Sequence, residues 1–271
     1  MPRIPSRRAL LSLVVTAGVS FSACGDETNA SECEAVTLAY LGPKTGDTAT
    51  VGLNILGGVR VAVEAFNQAH PDCPVTVSEF DTQGDPDRAA LLTTTILADT
   101  SILGVVGPVS SRESDATGAA FHEAGLVTIS PSATHPDLTK RGWTAFHRVL
   151  GSDAAQAPAA AKYLEDTLAA KSVFIVDDAS EYGKLLADGV KQDLGALVAG
   201  TDTVSQQQTD FAPTVAKVMA SGADALWYGG FYAEAGLLAK QLRAGGWQGF
   251  FVAGDGANDP GFVATAGEAS A

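Results

Sequence analysis

The segment 102–134, ILGVVGPVSSRESDATGAAFHEAGLVTISPSAT, constrains this chain more than any other. An apolar run (Ile102 to Val106), a small-residue turn, a helical stretch and a second apolar run (Leu126 to Ile129) lead into Ser130-Pro-Ser-Ala-Thr134. Two short apolar runs split by one helix make a parallel strand-helix-strand unit, because parallel strands need a crossover. Both turns then open at the same sheet edge. The first carries Ser110 and Ser111 just before a helix expected from about Glu113 to Ala124. Unpaired N–H groups and the positive end of the helix dipole attract an anion such as a carboxylate there. The second turn adds Ser132 and Thr134. Ligands of open parallel sheets lie beyond the carboxyl ends of the strands, so two hydroxyl-bearing turns point to a pocket for a small anionic or zwitterionic molecule. Helix capping is the commonest task of such residues, and each turn taken singly fits that reading as well.

The same grammar runs through the rest of the chain. Strands are expected at Val36 to Leu41, Val75 to Phe80 and, after the central unit, Phe146 to Val149; helices are expected at Leu53 to Asn67 and Asp87 to Ala98. Leu56, Val59, Val63 and Phe66 recur at helical spacing, and Asp85 before Pro86 is a candidate cap. Gly151 and Ser152 read as a hinge. Beyond them come helix Ala154 to Ala169, strand Ser172 to Val176, helix Lys184 to Leu194, strand Leu197 to Val204, helix Phe211 to Ala220, strand Ala223 to Tyr228, helix Ala233 to Ala244, strand Phe250 to Ala253 and helix Gly261 to Ala269. This predicts an α/β protein of two doubly wound parallel-sheet lobes joined by a hinge, 35–150 and 151–271, with a cleft between the carboxyl ends of the two sheets.

The first 23 residues give a basic start (Arg3, Arg7, Arg8), an apolar core from Ala9 to Val19, and small residues before Cys24, the pattern of an export signal. That core is too short for a permanent bilayer span. The Ser-Ala-Cys24-Gly end resembles the lipobox of bacterial lipoproteins, with Phe21 where Leu is usual, and Ser6-Arg-Arg resembles a twin-arginine signal. A lipid on Cys24 leaves 24–34 as a polar tether. Of the three cysteines, Cys33 and Cys73 then precede the first two strands at the same sheet edge; in an oxidising compartment a disulfide between them is favoured over two partly buried thiols. The four histidines are scattered and no CxxC or Cys/His spacing for a metal occurs, so neither metal nor cofactor is expected. The net charge of −14, more negative still without the three leader arginines, disfavours nucleic acid and anionic lipid as partners.

The ordered motifs "GVVGPVSSRES", "ISPSATHPDLTKRGW", "DDASEYGKLLADGV", "WYGGFYAEAG" and "GDGAND" resemble those of the leucine/isoleucine/valine-binding proteins of bacterial branched-chain amino-acid ABC importers, from about residue 36 to the end. The resemblance implies the type I periplasmic-binding-protein fold, an amino-acid ligand, a permease as partner, and no catalysis. It assigns the ligand carboxylate to Ser111, Ser132 and Thr134, the ammonium to Thr134 and Asp255, and a cleft-closing tyrosine to Tyr182. Val51, Val109, Ser110 and Phe231 are implied as the side-chain pocket. Such a set suits a zwitterion: neutral donors at a helix N-terminus take the carboxylate, and one acid answers the ammonium. Taken alone, Asp255 also reads as the Asp-Gly of an ordinary turn, and Tyr182 as a lobe-packing residue.

Three positions depart from the family pattern. Val51 stands where an aromatic residue is frequent, Phe231 lacks a tyrosine hydroxyl, and Asp255 replaces a Glu, so the side-chain preference is open among aliphatic and polar amino acids and small amides. Family members generally continue beyond the point matching Ala271, so the second lobe is expected to be incomplete and less stable. Two other classes share the fold: the ligand-binding domain of a sensor, and an α/β enzyme, for which GxSxG, GxGxxG and P-loop signatures are all missing.

Overall fold

A computed structural model describes residues 36–270. The expected signal peptide and tether, with Cys24 and Cys33, lie outside the described residues. Two parallel sheets carry the fold. The first is built from β1 (Val36–Gly42), β2 (Val75–Asp81), β3 (Ile102–Val106), β4 (Thr128–Ser130) and β5 (Phe146–Arg148), connected by α1 (Ala49–Ala69), α2 (Pro86–Ala98) and α3 (Ser111–Glu123). The chain then enters α4 (Asp153–Lys162), and the second sheet is built from β6 (Val173–Asp177), β7 (Val198–Thr203), β8 (Ala225–Gly229) and β9 (Phe250–Ala253). Its helices are α5 (Glu181–Leu194), α6 (Ala212–Ser221), α7 (Tyr232–Ala244) and α8 (Pro260–Ala266).

The strand orders are β2-β1-β3-β4-β5 and β7-β6-β8-β9, all parallel. Both sheets thus start at an inner strand, step outward once, and then wind the other way. In each, the reversal leaves a crevice at the carboxyl ends of the two inner strands, β1 and β3 in one and β6 and β8 in the other. Apolar runs make the inner strands: every residue of β8 is buried, with Trp227 and Tyr228 in its middle. Helix α5 shows why the pattern selects a helix, since Tyr182, Leu186, Val190 and Leu194 fall on one buried stripe at near-fourfold spacing.

Boundaries differ from expectation in instructive places. Helix α1 starts at Ala49 rather than Leu53, because Gly52 lets its first turn pack directly on the Pro43 carbonyl, where any Cβ would collide. The α-helical part of α4 ends at Lys162, followed by a π-helical turn over Tyr163–Thr167. Helix α8 stops at Ala266, where Gly267 takes a positive φ of 59° and a 3-10 turn follows.

Candidate functional site

A cavity of about 310 Å³ lies between the two sheets' carboxyl ends. Its walls come from the segments after β1, β2, β3 and β4 on one side and after β6, β7, β8 and β9 on the other. Of the residues singled out in the sequence, Val51, Val109, Ser110, Ser111, Ser132, Tyr182, Phe231 and Asp255 all line it. Thr134 does not line it: it is 2% exposed, and its hydroxyl has no hydrogen-bond partner among the described residues.

On the first wall, Ser110 is the N-cap of α3. Its Oγ accepts from Glu113 N at 3.2 Å while Glu113 Oε2 accepts from Ser110 N at 2.7 Å, a complete capping box. Burial raises the pKa of the Glu113 carboxyl, against hydrogen bonds from Thr82 and Ser110 that lower it. Ser110 therefore fulfils the capping reading as well as touching the cavity. The N–H groups of Ser111 and Arg112, next along α3, make no hydrogen bond among the described residues and sit at the positive end of the helix. Ser111 Oγ accepts from His135 N at 3.1 Å, which leaves its proton to donate.

Ser132 lines the cavity, and its hydroxyl donates to Val109 O at 2.5 Å, which ties the second turn to the first. Ser130 does the same one step earlier, donating to Pro108 O at 2.6 Å.

On the second wall, Asp255 is fixed by three contacts. Its Oδ1 accepts from Tyr182 OH at 2.7 Å and from Gln156 Nε2 at 2.9 Å, while its N–H donates to Gln156 Oε1 at 3.0 Å. Tyr182 OH also accepts from Gly256 N at 2.9 Å. Burial, with the Asp255 charge beside it, raises the Tyr182 pKa well above its ordinary value, so it remains a neutral donor. The second oxygen of Asp255 makes no hydrogen bond among the described residues. Tyr182 lines the cavity and holds the Asp255 carboxylate, and its ring tilts against Phe231 at 5.3 Å between centroids. No motif marks Gln156, a single amide in the alanine-rich α4.

The walls touch around the cavity. Tyr232 OH donates to Asp47 O at 2.9 Å and lies 3.0 Å from Thr50 Oγ1; Gln207 Nε2 donates to Asp47 Oδ2; His135 Nε2 faces Glu181 Oε1 at 3.5 Å. Asn54 Nδ2 reaches Asp259 Oδ2 at 3.5 Å, and both residues line the far end of the cavity. Asn54, Arg112, Gln206, Asn258 and Asp259 were not anticipated; they make that end more polar than Val51, Val109 and Phe231 alone imply.

Two similarly wound sheets facing each other across a part-polar cavity, with helix N–H groups opposite a carboxylate, define a two-lobed solute-binding protein. A family profile for periplasmic binding proteins matches residues 35–271. The chain belongs to that family, among its Leu/Ile/Val-binding relatives. It is 30% identical to a Leu/Ile/Val-binding protein homolog of Brucella melitensis, covering 95% of this chain and 71% of the relative. It is also 30% identical to the leucine-specific-binding protein of Salmonella typhimurium, with 97% and 70% covered. A solved structure of the branched-chain amino acid transporter substrate binding protein LivJ from Streptococcus pneumoniae, in complex with isoleucine, superposes with a TM-score of 0.83 at 29% identity, covering 86% of this chain and 68% of that one. The leucine binding protein LivK of Thermotoga maritima gives 0.79 at 26% identity, with 86% and 67% covered. The chain therefore spans about two thirds to seven tenths of the length of these relatives. They are solute-binding proteins of an extracytoplasmic family rather than enzymes.

Proposed function

We propose that the protein captures a free amino acid, aliphatic by the character of Val51, Val109 and Phe231, and delivers it to the permease of an ABC importer. The observation that carries this reading is the opposition of charge across one cavity: unpaired N–H groups at the start of α3 on one wall, Asp255 with an open oxygen on the other. The ligand carboxylate would take the Ser111 hydroxyl and the N–H groups of the first turn, with backbone from the Ser132 to Thr134 turn. The ammonium would take Asp255. Leaving either charge unpaired in a closed cleft costs several kcal/mol, so a molecule with only one of them should be rejected. Names of the relatives support the leucine, isoleucine and valine class.

In the same reading the chain is exported, 24–34 tethers the lobes to a lipid on Cys24, and Cys33 pairs with Cys73. Cys73 is disulfide-bonded, which supports the pairing and an oxidising compartment. A thermal-shift screen against the twenty amino acids and small amides tests the function, because a ligand that binds only the native state raises its midpoint. Leucine, isoleucine or valine should give the largest rise; a screen without any hit would refute the proposal.

A further inference from the structure

Beside the cavity the two walls meet at Asp47, in the turn between β1 and α1. That turn is fixed to its own sheet: at the end of β2, Asp81 Oδ1 accepts from Lys44 N and Asp81 Oδ2 from Thr45 Oγ1, both at 2.7 Å. Asp47 then offers two acceptors to the other wall. Its backbone oxygen accepts from Tyr232 OH at 2.9 Å, and its Oδ2 accepts from Gln207 Nε2 at 2.5 Å. Both donors are fixed in turn. Tyr232 opens α7, and Gln207, in the loop after β7, donates its N–H at 2.7 Å to Glu234 Oε1, a carboxylate buried in the first turn of α7. Gln207 holds a φ of 66°, a left-handed conformation that disfavours any residue with a Cβ. Glycine would sit there without strain, but only a long amide spans to the opposite wall. The neighbours of this clasp are cavity residues: Gln206 precedes Gln207, Phe231 precedes Tyr232, and Thr50, 3.0 Å from the Tyr232 hydroxyl, precedes Val51. The looser cross-wall contacts, Asn54 to Asp259 and His135 to Glu181, both stand at 3.5 Å.

We propose that Gln207 is a positioning residue for ligand retention: without lining the cavity it holds the two walls together through Asp47, and so sets how fast a bound amino acid leaves. The inference rests on the amino-acid-binding reading above and adds to it a residue outside the ligand's own contacts. A bond between walls that must part for escape slows release, whereas entry depends on encounter with walls already apart, so a change at Gln207 acts on the dissociation rate. Charge fixes the sign. An amide or a cation at position 207 joins the walls, whereas an acid there repels Asp47. Backbone strain gives a second, independent sign: Gln207→Gly relieves the left-handed φ while deleting the clasp, so stability should hold while retention falls.

Release of isotope-labelled L-leucine, chased with unlabelled leucine, tests this, with the association rate measured beside it. Gln207→Ala should speed release about fivefold and Gln207→Glu about tenfold, with association changed by less than about twofold. Exchanging the charges, Gln207→Glu together with Asp47→Lys, should bring release back to within about twofold of the parent. Tyr232→Phe should speed it about threefold through the other half of the clasp. Gln207→Gly should release leucine as fast as Gln207→Ala, with a thermal midpoint no lower than the parent's. Release from Gln207→Glu at the parent's rate, or an exchanged pair that fails to restore it, would overturn the inference while leaving amino-acid binding intact. A Gln207→Gly midpoint that falls together with retention would also overturn it, since Gln207 would then be a general support of the fold. No leucine binding by the parent would overturn the amino-acid reading and the inference with it.

Discussion

The two walls of the cleft solve opposite electrostatic problems with different materials. The first wall, formed by the turns after β3 and β4, carries no exposed acid: it offers backbone N–H groups, hydroxyls and Arg112, and its buried acid, Glu113, is turned inward to cap α3. The second wall is a braced carboxylate, with Tyr182 and Gln156 both donating to one oxygen of Asp255 and leaving the other for the cavity. Backbone donors at a helix end are fixed by the fold itself, whereas a side-chain acid must be held in place by neighbours. The first wall should therefore tolerate side-chain changes better than the second.

That contrast is open to test by substitution. Asp255→Asn removes the charge answering the ammonium and should weaken amino-acid binding by about 2–5 kcal/mol, read by calorimetry. Ser111→Ala removes one donor to a carboxylate that keeps its backbone partners, so a loss of about 1.5–3 kcal/mol is expected, at the lower end if the N–H groups dominate. Equal losses at the two positions would break the asymmetry. Tyr182→Phe leaves Asp255 charged but held only by Gln156, and should cost about 1 kcal/mol in affinity, with no further loss when it is added to Asp255→Asn. Ser110→Ala should lower stability by about 1 kcal/mol in thermal or denaturant unfolding through loss of the α3 cap, with the smallest change in affinity of the four.

The strand and helix order was legible because each element carries its own period. The stripe of Leu186, Val190 and Leu194 in α5 and the continuous apolar run of β8 are local facts. The loop positions of Val51, Ser111, Phe231 and Asp255 followed from that order and from the resemblance, since all lie at carboxyl ends of strands or at the helix starts that follow them. What stayed hidden depends on partners far along the chain. The Ser132 proton goes to Val109, 23 residues back, and Gln156 meets Asp255 across 99 residues. Helix α1 began early because the Pro43 carbonyl fits against Gly52, a contact no propensity encodes.

The central claim is that one cavity reads both charges of an amino acid. Its most direct test is paired calorimetry of the protein with L-leucine and with 4-methylpentanoate, which shares the carboxylate and the branched chain but lacks the amine. The account predicts saturable binding of leucine and a loss of at least about 2 kcal/mol for the deaminated acid, because Asp255 would be left facing the ligand unpaired. Equal affinity for the two, or binding of neither, would contradict it.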